Sequence, residues 1–156
     1  MVIQQKFYME KALQEAQYAL KEDEVPVGAV IVYKNQIIAR AHNQVERLKD
    51  PTAHAEMIAI TQAANFLGSK WITDCTLYVT VEPCSMCAGA LVLSRIANVV
   101  FGADDPKTGA FGSKVNINNL GLNHKIKVKK GLLKEECAVF LKEFFRNKRN
   151  RAKQLN

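Results

Sequence analysis

The chain predicts an α/β fold with a layered, mixed sheet, and three observations carry that expectation. Apolar residues switch repeatedly between a helical period and short β-like runs, so helices and strands alternate along the sequence. Lys34-Asn35-Gln36 forms a polar turn between two apolar runs, as in a hairpin, which makes the sheet mixed rather than wholly parallel. The 156 residues, 48% hydrophobic and 24% charged, fit one ordinary globular domain over 1–156. That composition excludes a disordered chain, a collagen-like repeat and a disulfide miniprotein.

Each element follows from its residues. Ile3, Phe7, Ala12, Leu13, Ala16, Ala19 and Leu20 recur at helical spacing and predict an amphipathic helix over 3–21. Residues 25–33 are apolar and β-branched, and 37–41 resume the apolar run after the turn, completing the hairpin. Asp50-Pro51 reads as an N-cap followed by proline at the first helical position, opening a helix to about Leu67. Residues 76–81 read as a strand, 83–95 as a short helix rich in small residues, and 98–102 as another strand. Residues 126–130 alternate apolar and basic side chains in the manner of an edge strand. The last helix, at about 134–151, sets Cys137, Phe140, Leu141, Phe144 and Phe145 on or near one face.

Charge is unevenly distributed. The 22 Lys+Arg and 15 Asp+Glu give a net +7, but residues 1–124 hold 11 basic and 12 acidic side chains, whereas 125–156 hold 11 basic and 3 acidic. The basicity therefore belongs to the C-terminal segment, which suggests a polyanionic partner. The longest apolar stretch, 25–33, contains Pro26 and is too short to span a bilayer, which takes roughly 20 residues. The opening Met1-Val2-Ile3-Gln4-Gln5-Lys6 shows no basic segment followed by an apolar one, so a cytoplasmic location without membrane is expected. In a reducing compartment the four cysteines, Cys75, Cys84, Cys87 and Cys137, are more readily metal ligands or redox groups than disulfides.

The strongest motif is His54-Ala55-Glu56 followed by Pro83-Cys84-Ser85-Met86-Cys87. Cys84 and Cys87 are three apart at a helix start, so their sulfurs share a face. Free N–H groups and the positive dipole of that helix end favour thiolates. Two thiolates and an imidazole are a normal zinc set, and three protein ligands leave a fourth position open for chemistry. Glu56, two residues after His54, can converge on the same pocket only at a helix N-terminus. Its carboxylate would then face a water whose pKa zinc lowers to about 7. Three plainer readings compete: a redox Cys-x-x-Cys, a structural zinc closed by Cys75 or Cys137, and a core histidine at His54. Met86 and the missing redox-fold context argue against the first, and the second leaves Glu56 without a task. The combination His-x-Glu with Pro-Cys-x-x-Cys is the signature of the zinc nucleobase deaminases. Cys75 and Cys137 read as buried thiols.

With these residues in view, the chain resembles the cytidine-deaminase-like superfamily, and more closely the bacterial tRNA-specific adenosine deaminases. The resemblance runs through 24–29 (Glu-Val-Pro-Val-Gly-Ala), Ala41-His42-Asn43, 52–56 (Thr-Ala-His-Ala-Glu), 77–84 (Leu-Tyr-Val-Thr-Val-Glu-Pro-Cys), 102–107 (Gly-Ala-Asp-Asp-Pro-Lys), Asn123-His124 and Phe144-Phe145-Arg146. It implies a three-layer α/β/α sandwich around a five-stranded mixed sheet, and a homodimer with one zinc per subunit held by His54, Cys84 and Cys87. It implies hydrolytic conversion of adenosine to inosine at the wobble (first anticodon) position of a tRNA, with tRNA-Arg expected. Glu56 would be the catalytic proton shuttle, serving the attacking water, N1 of adenine and the leaving amine. Asn43 would hydrogen-bond the target nucleoside, and the backbone N–H of Ala55 and those near Cys84 would orient the attacked centre. Asp105, Lys107, Asn123, His124, Phe145, Arg146 and Arg149 match positions expected to contact the anticodon stem-loop.

RNA reading in loops uses unstacked bases held on aromatic or arginine planes. Phe145 with Arg146, Lys148, Arg149, Arg151 and Lys153 offers such a platform beside phosphate partners, while Phe144 itself reads as core. Three positions depart from the family pattern. Ile72 stands where relatives often carry Arg, Val45 where a basic residue is common, and Phe111 where a small residue or Cys is usual. Phe111 could be a packing change or an extra stacking surface. Two other functions use the same motif: a small-molecule deaminase acting on a free base or nucleoside, and a non-enzymatic zinc-stabilised RNA-binding module.

Overall fold

The computed structural model describes residues 2–156. Helix α1 (Val2–Lys21) leads through a turn into strand β1 (Gly28–Tyr33), and the hairpin returns as β2 (Gln36–His42). The turn is the two residues Lys34-Asn35, both at positive φ, as a tight right-twisting hairpin requires. A short helix α2 (Val45–Leu48) precedes α3 (Ala55–Leu67), then β3 (Cys75–Val81), α4 (Ser85–Leu93), β4 (Asn98–Ala103), a single 3₁₀ turn (Ile117–Asn119), β5 (Lys127–Lys130) and α5 (Lys134–Gln154). The sheet order is β2-β1-β3-β4-β5. Strand β1 runs antiparallel to β2 and β3, whereas β3, β4 and β5 are mutually parallel. The five-stranded mixed sheet matches the expectation.

Strand alternation builds the three layers. Ala29, Ile31, Leu77, Val79, Val99 and Phe101 point to one face and pack with Ala55, Ala59 and Ala63 of α3 and Ala88 and Leu91 of α4. Val30, Val32, Tyr78 and Val100 point to the other, against Tyr8, Met9 and Ala12 of α1 and Cys137 of α5. Two glycines let helix backbones come close. A Cβ on Gly28 would run into the backbone of α1 at Ala12 and Ala16, and one on Gly102 would run into the Cys137 side chain. Helix backbone cannot give way as a side-chain tip can. Gly28→Ala is therefore expected to cost at least about 2 kcal/mol, read as a Tm lowered by on the order of 5 °C in a thermal melt.

Four expectations need correction. Residues 25–27 are not strand, because Pro26 cannot continue a ladder. Asp50-Pro51 does not open a helix: Asp50 Oδ1 accepts from the N–H and hydroxyl of Thr52, closing a local turn, and α3 starts four residues later with His54 as its N-cap. The short helix α2 lies before this turn, between β2 and α3. The fourth strand extends one residue further than expected and the last helix three. Among the described residues no helix is long and apolar enough to cross a membrane.

Candidate active site

The N-termini of α3 and α4 meet at the carboxyl end of β3. His54 caps α3 and Cys84 caps α4, both in extended conformation, so both side chains lean off the helix ends towards one point. His54 Nδ1 lies 3.7 Å from Cys84 Sγ and 3.6 Å from Cys87 Sγ. A tetrahedral zinc with ordinary Zn–N and Zn–S bonds sets those atoms about 3.6 Å apart, so the cluster fits the ion without rearrangement. Among the described residues this is the one group of His, Cys, Asp and Glu with metal-ligand spacing.

Neither remaining cysteine can close the site. Cys137 packs on the opposite face of the sheet, and Cys75 begins β3, about 20 Å from the strand end that carries Cys84. Burial pushes Cys75 up to about 11 and Cys137 to about 12, as inert core thiols behave. Cys84 differs: hydrogen bonds from Cys87 and His54 outweigh burial and hold it down at about 4. The same Cys84 contact raises both Cys87 and His54. These groups share protons that a cation would displace.

Glu56, in the first turn of α3, is 4% exposed and stands beside the cluster on the wall of a cleft of about 970 Å³. Burial pushes its carboxyl up to about 7. Asn43 follows β2 into the same cleft and is buried; its Oδ1 accepts from the N–H of Ala55 at 2.8 Å. The Ala55 N–H thus holds Asn43 in place. The Asn43 amide nitrogen is left as a donor for a ligand.

A family model for MafB19-like deaminases matches residues 3–149. The tRNA-specific adenosine deaminase of Bacillus subtilis (strain 168) is 48% identical over 151 residues, covering 96% of this chain and 94% of that protein. This chain belongs to the MafB19-like deaminases, among the tRNA-specific adenosine deaminases. The enzyme of that name from Aquifex aeolicus (strain VF5) is 51% identical over 145 residues, covering 92% of this chain and 95% of its own. A solved structure from studies of A-to-I editing by tRNA:A34 deaminases at the wobble position of transfer RNA matches with a TM-score of 0.80 at 41% identity. The match covers 86% of this chain and 99% of that one.

The other residues that the deaminase resemblance nominates are not all at the cleft. Asp105 lines it, with its carboxylate accepting from the N–H groups of Lys107 and Thr108 and from the Thr108 hydroxyl, so that it braces its own turn. Lys107 is exposed beyond that turn. Asn123 and His124 line a second groove of about 1140 Å³, and His124 Nε2 is hydrogen-bonded to Ile96 O at 2.6 Å. On α5 the register is the surprise. Phe144, Lys148 and Arg151, spaced four and three apart, line the cleft, whereas Phe145, Arg146 and Arg149 do not. Phe144 is buried, as expected of core, and Phe145 is 44% exposed. Arg151 makes a forked ion pair with Asp23 across the cleft mouth, at 2.8 and 3.1 Å.

Sequence reasoning gave no task to two buried carboxylates. Glu24 accepts from the N–H groups of Glu46 and Arg47 at 2.9 Å each, capping α2 in place of Gln44, which caps nothing. Glu82 gathers the loop after β4 in the same way. Of the departures from the family pattern, Ile72 and Phe111 are buried in the core and Val45 lines the cleft. Phe111 is thus a packing residue.

Proposed function

We propose that this chain deaminates adenosine to inosine at the wobble position of a tRNA, with tRNA-Arg as the substrate and one zinc per subunit. The observation that carries the reading is the convergence of His54, Cys84, Cys87 and Glu56 at two helix ends on a cleft whose rim includes Lys148 and Arg151 of the basic last helix. His54, Cys84 and Cys87 would hold the zinc, which when bound would supply the Lewis acidity that makes water a nucleophile near neutral pH. Glu56 takes one proton of the attacking water and passes it to N1 of adenine, then takes the second from the new C6 hydroxyl and delivers it to the exocyclic amine. Water oxygen becomes bonded to C6, the bond from C6 to the amine breaks, and ammonia leaves. Asn43, locked by Ala55, donates to the base or its ribose. A cleft this size takes a base extruded from a loop, and extrusion from an anticodon loop costs less than from a duplex.

The test is inosine formation on an A34 anticodon stem-loop by the zinc-loaded protein. Deamination of free bases with no action on the stem-loop would replace this reading by the small-molecule one. The RNA contacts follow the observed helix face. Lys148→Ala is expected to weaken stem-loop binding and to flatten the slope of log affinity against log salt by about 0.7. Arg149→Ala, away from the cleft, should change the slope less.

The homodimer is assigned to the second groove. The first turns of α3 and α4, which carry the metal cluster on one side, present Met57, Ser85 and Met86 to this groove, with Leu93 79% exposed and Trp71 47% exposed beside them. Such an apolar patch is the kind of surface that self-association covers. Leu93→Asp is expected to shift the sedimentation coefficient from dimer to monomer.

A further inference from the structure

We infer that Glu82 is a positioning residue for the substrate: it fixes the 104–113 loop as one wall of the deaminase cleft without taking part in the metal chemistry. The inference rests on the deaminase reading for its substrate and on the geometry of Glu82 for everything else. Glu82 is 3% exposed. Its Oε1 accepts from the N–H of Asp105 at 3.1 Å and from the Ser113 hydroxyl, and its Oε2 accepts from the N–H groups of Phe111 at 3.0 Å and Ser113 at 3.1 Å. One carboxylate thus ties both ends of a loop that has neither helix nor paired strand of its own beyond isolated bridges. Buried backbone donors need partners, and here a side chain from β3's end supplies them.

The loop is shaped around that carboxylate. Gly109 has no room for a Cβ, because the Glu82 carboxylate and the Asp105 carbonyl stand where it would go. The same loop brings Asp105 and Thr108 to the cleft. Pro83 O accepts from Ala110 N at 2.9 Å, so the strand end that leads to Cys84 is stitched to the loop at consecutive residues. Glu82 is not within the His54, Cys84 and Cys87 cluster. Its chemistry is therefore directed at backbone, and the backbone it holds forms a wall of the cleft.

Glu82→Gln keeps size and shape but turns an NH₂ towards two of the four donors. With the zinc-loaded protein and the A34 stem-loop, KM is expected to rise about tenfold, the effect of roughly 1.4 kcal/mol of lost binding, with kcat within about threefold. Zinc should stay at one per chain, and amide exchange should quicken at Phe111 and Ser113 but not in α3. A fall in kcat at unchanged KM, loss of zinc, or kinetics and exchange like wild type would each overturn the inference. Should Glu82→Gln fail to fold, Ser113→Ala removes only the hydroxyl donor. A KM raised about threefold at constant kcat then supports the role and an unchanged KM overturns it. If the wild type leaves the stem-loop untouched, the functional reading falls on its own. The exchange rates at Phe111 and Ser113 then decide whether Glu82 holds the loop.

Discussion

Glu56→Gln is expected to abolish inosine formation, by about 10⁴-fold, while zinc remains bound and the fold intact. A positioned acid–base group contributes about 10²–10⁴ to a proton-transfer step, and here one carboxyl serves more than one transfer. The side chain is no metal ligand, so the variant should still carry one zinc per chain. Single-turnover conversion of the A34 stem-loop, with metal content measured on the same sample, reads both. Activity within tenfold of wild type would remove Glu56 from the chemistry, and activity intact altogether would leave only a zinc-stabilised RNA-binding module. The substitution should also stabilise the zinc-free protein. Burial pushes the carboxyl up to about 7, so the folded state is disfavoured as pH rises from the unfolded value through 7 and a charge must be carried inside. The Tm advantage of Glu56→Gln over wild type should therefore be larger at pH 8 than at pH 5.

Cys87→Ala is expected to cost both the metal and the reaction. Cys87 is fully buried and its sulfur is 3.6 Å from His54 Nδ1, so no other side chain can move in to replace it. Two ligands hold zinc far more weakly than three, and turnover should fall below detection. The fold should survive, because the core around Ile31, Leu77, Val79 and Phe101 does not depend on the ion. Wild type with free zinc 1,000-fold above its Kd gains about 4 kcal/mol by mass action, and Cys87→Ala should lose most of that gain. Chelator titration followed by melting and far-ultraviolet circular dichroism checks each part: the zinc-dependent Tm shift disappears, and the spectrum does not change.

The metal ligands were legible because their geometry is local. Cys84 and Cys87 lie within one helical turn, and that turn's dipole can be argued from Pro83 and the spacing alone. His54 and Glu56 were legible as a motif but not as a shape. Reading Asp50 as a helix cap put the helix start too early, and only the true start at Ala55 makes His54 a cap residue. A side chain that can cap a helix can equally close a turn, and tertiary contacts choose between them. Glu24 and Glu82 were recognisable as parts of the family motifs, yet their partners are backbone N–H groups more than twenty residues away, which no side-chain pattern encodes. The cations of α5 were legible as charge but not as direction. Their facing depends on how the helix is seated, which is set by Cys137 and Phe144 against the rest of the chain.

That seat makes α5 a lever. Its fulcrum is Cys137, lodged where Gly102 leaves a notch in β4. Lys148 and Arg151 sit about 16 and 21 Å further along the axis, and a tilt of about 5° at the notch would carry them sideways by about 1.5 Å. That displacement is half the length of a hydrogen bond to a phosphate. Gly102, which has no side chain and lies beneath the helix, thereby sets the aim of charges far from it.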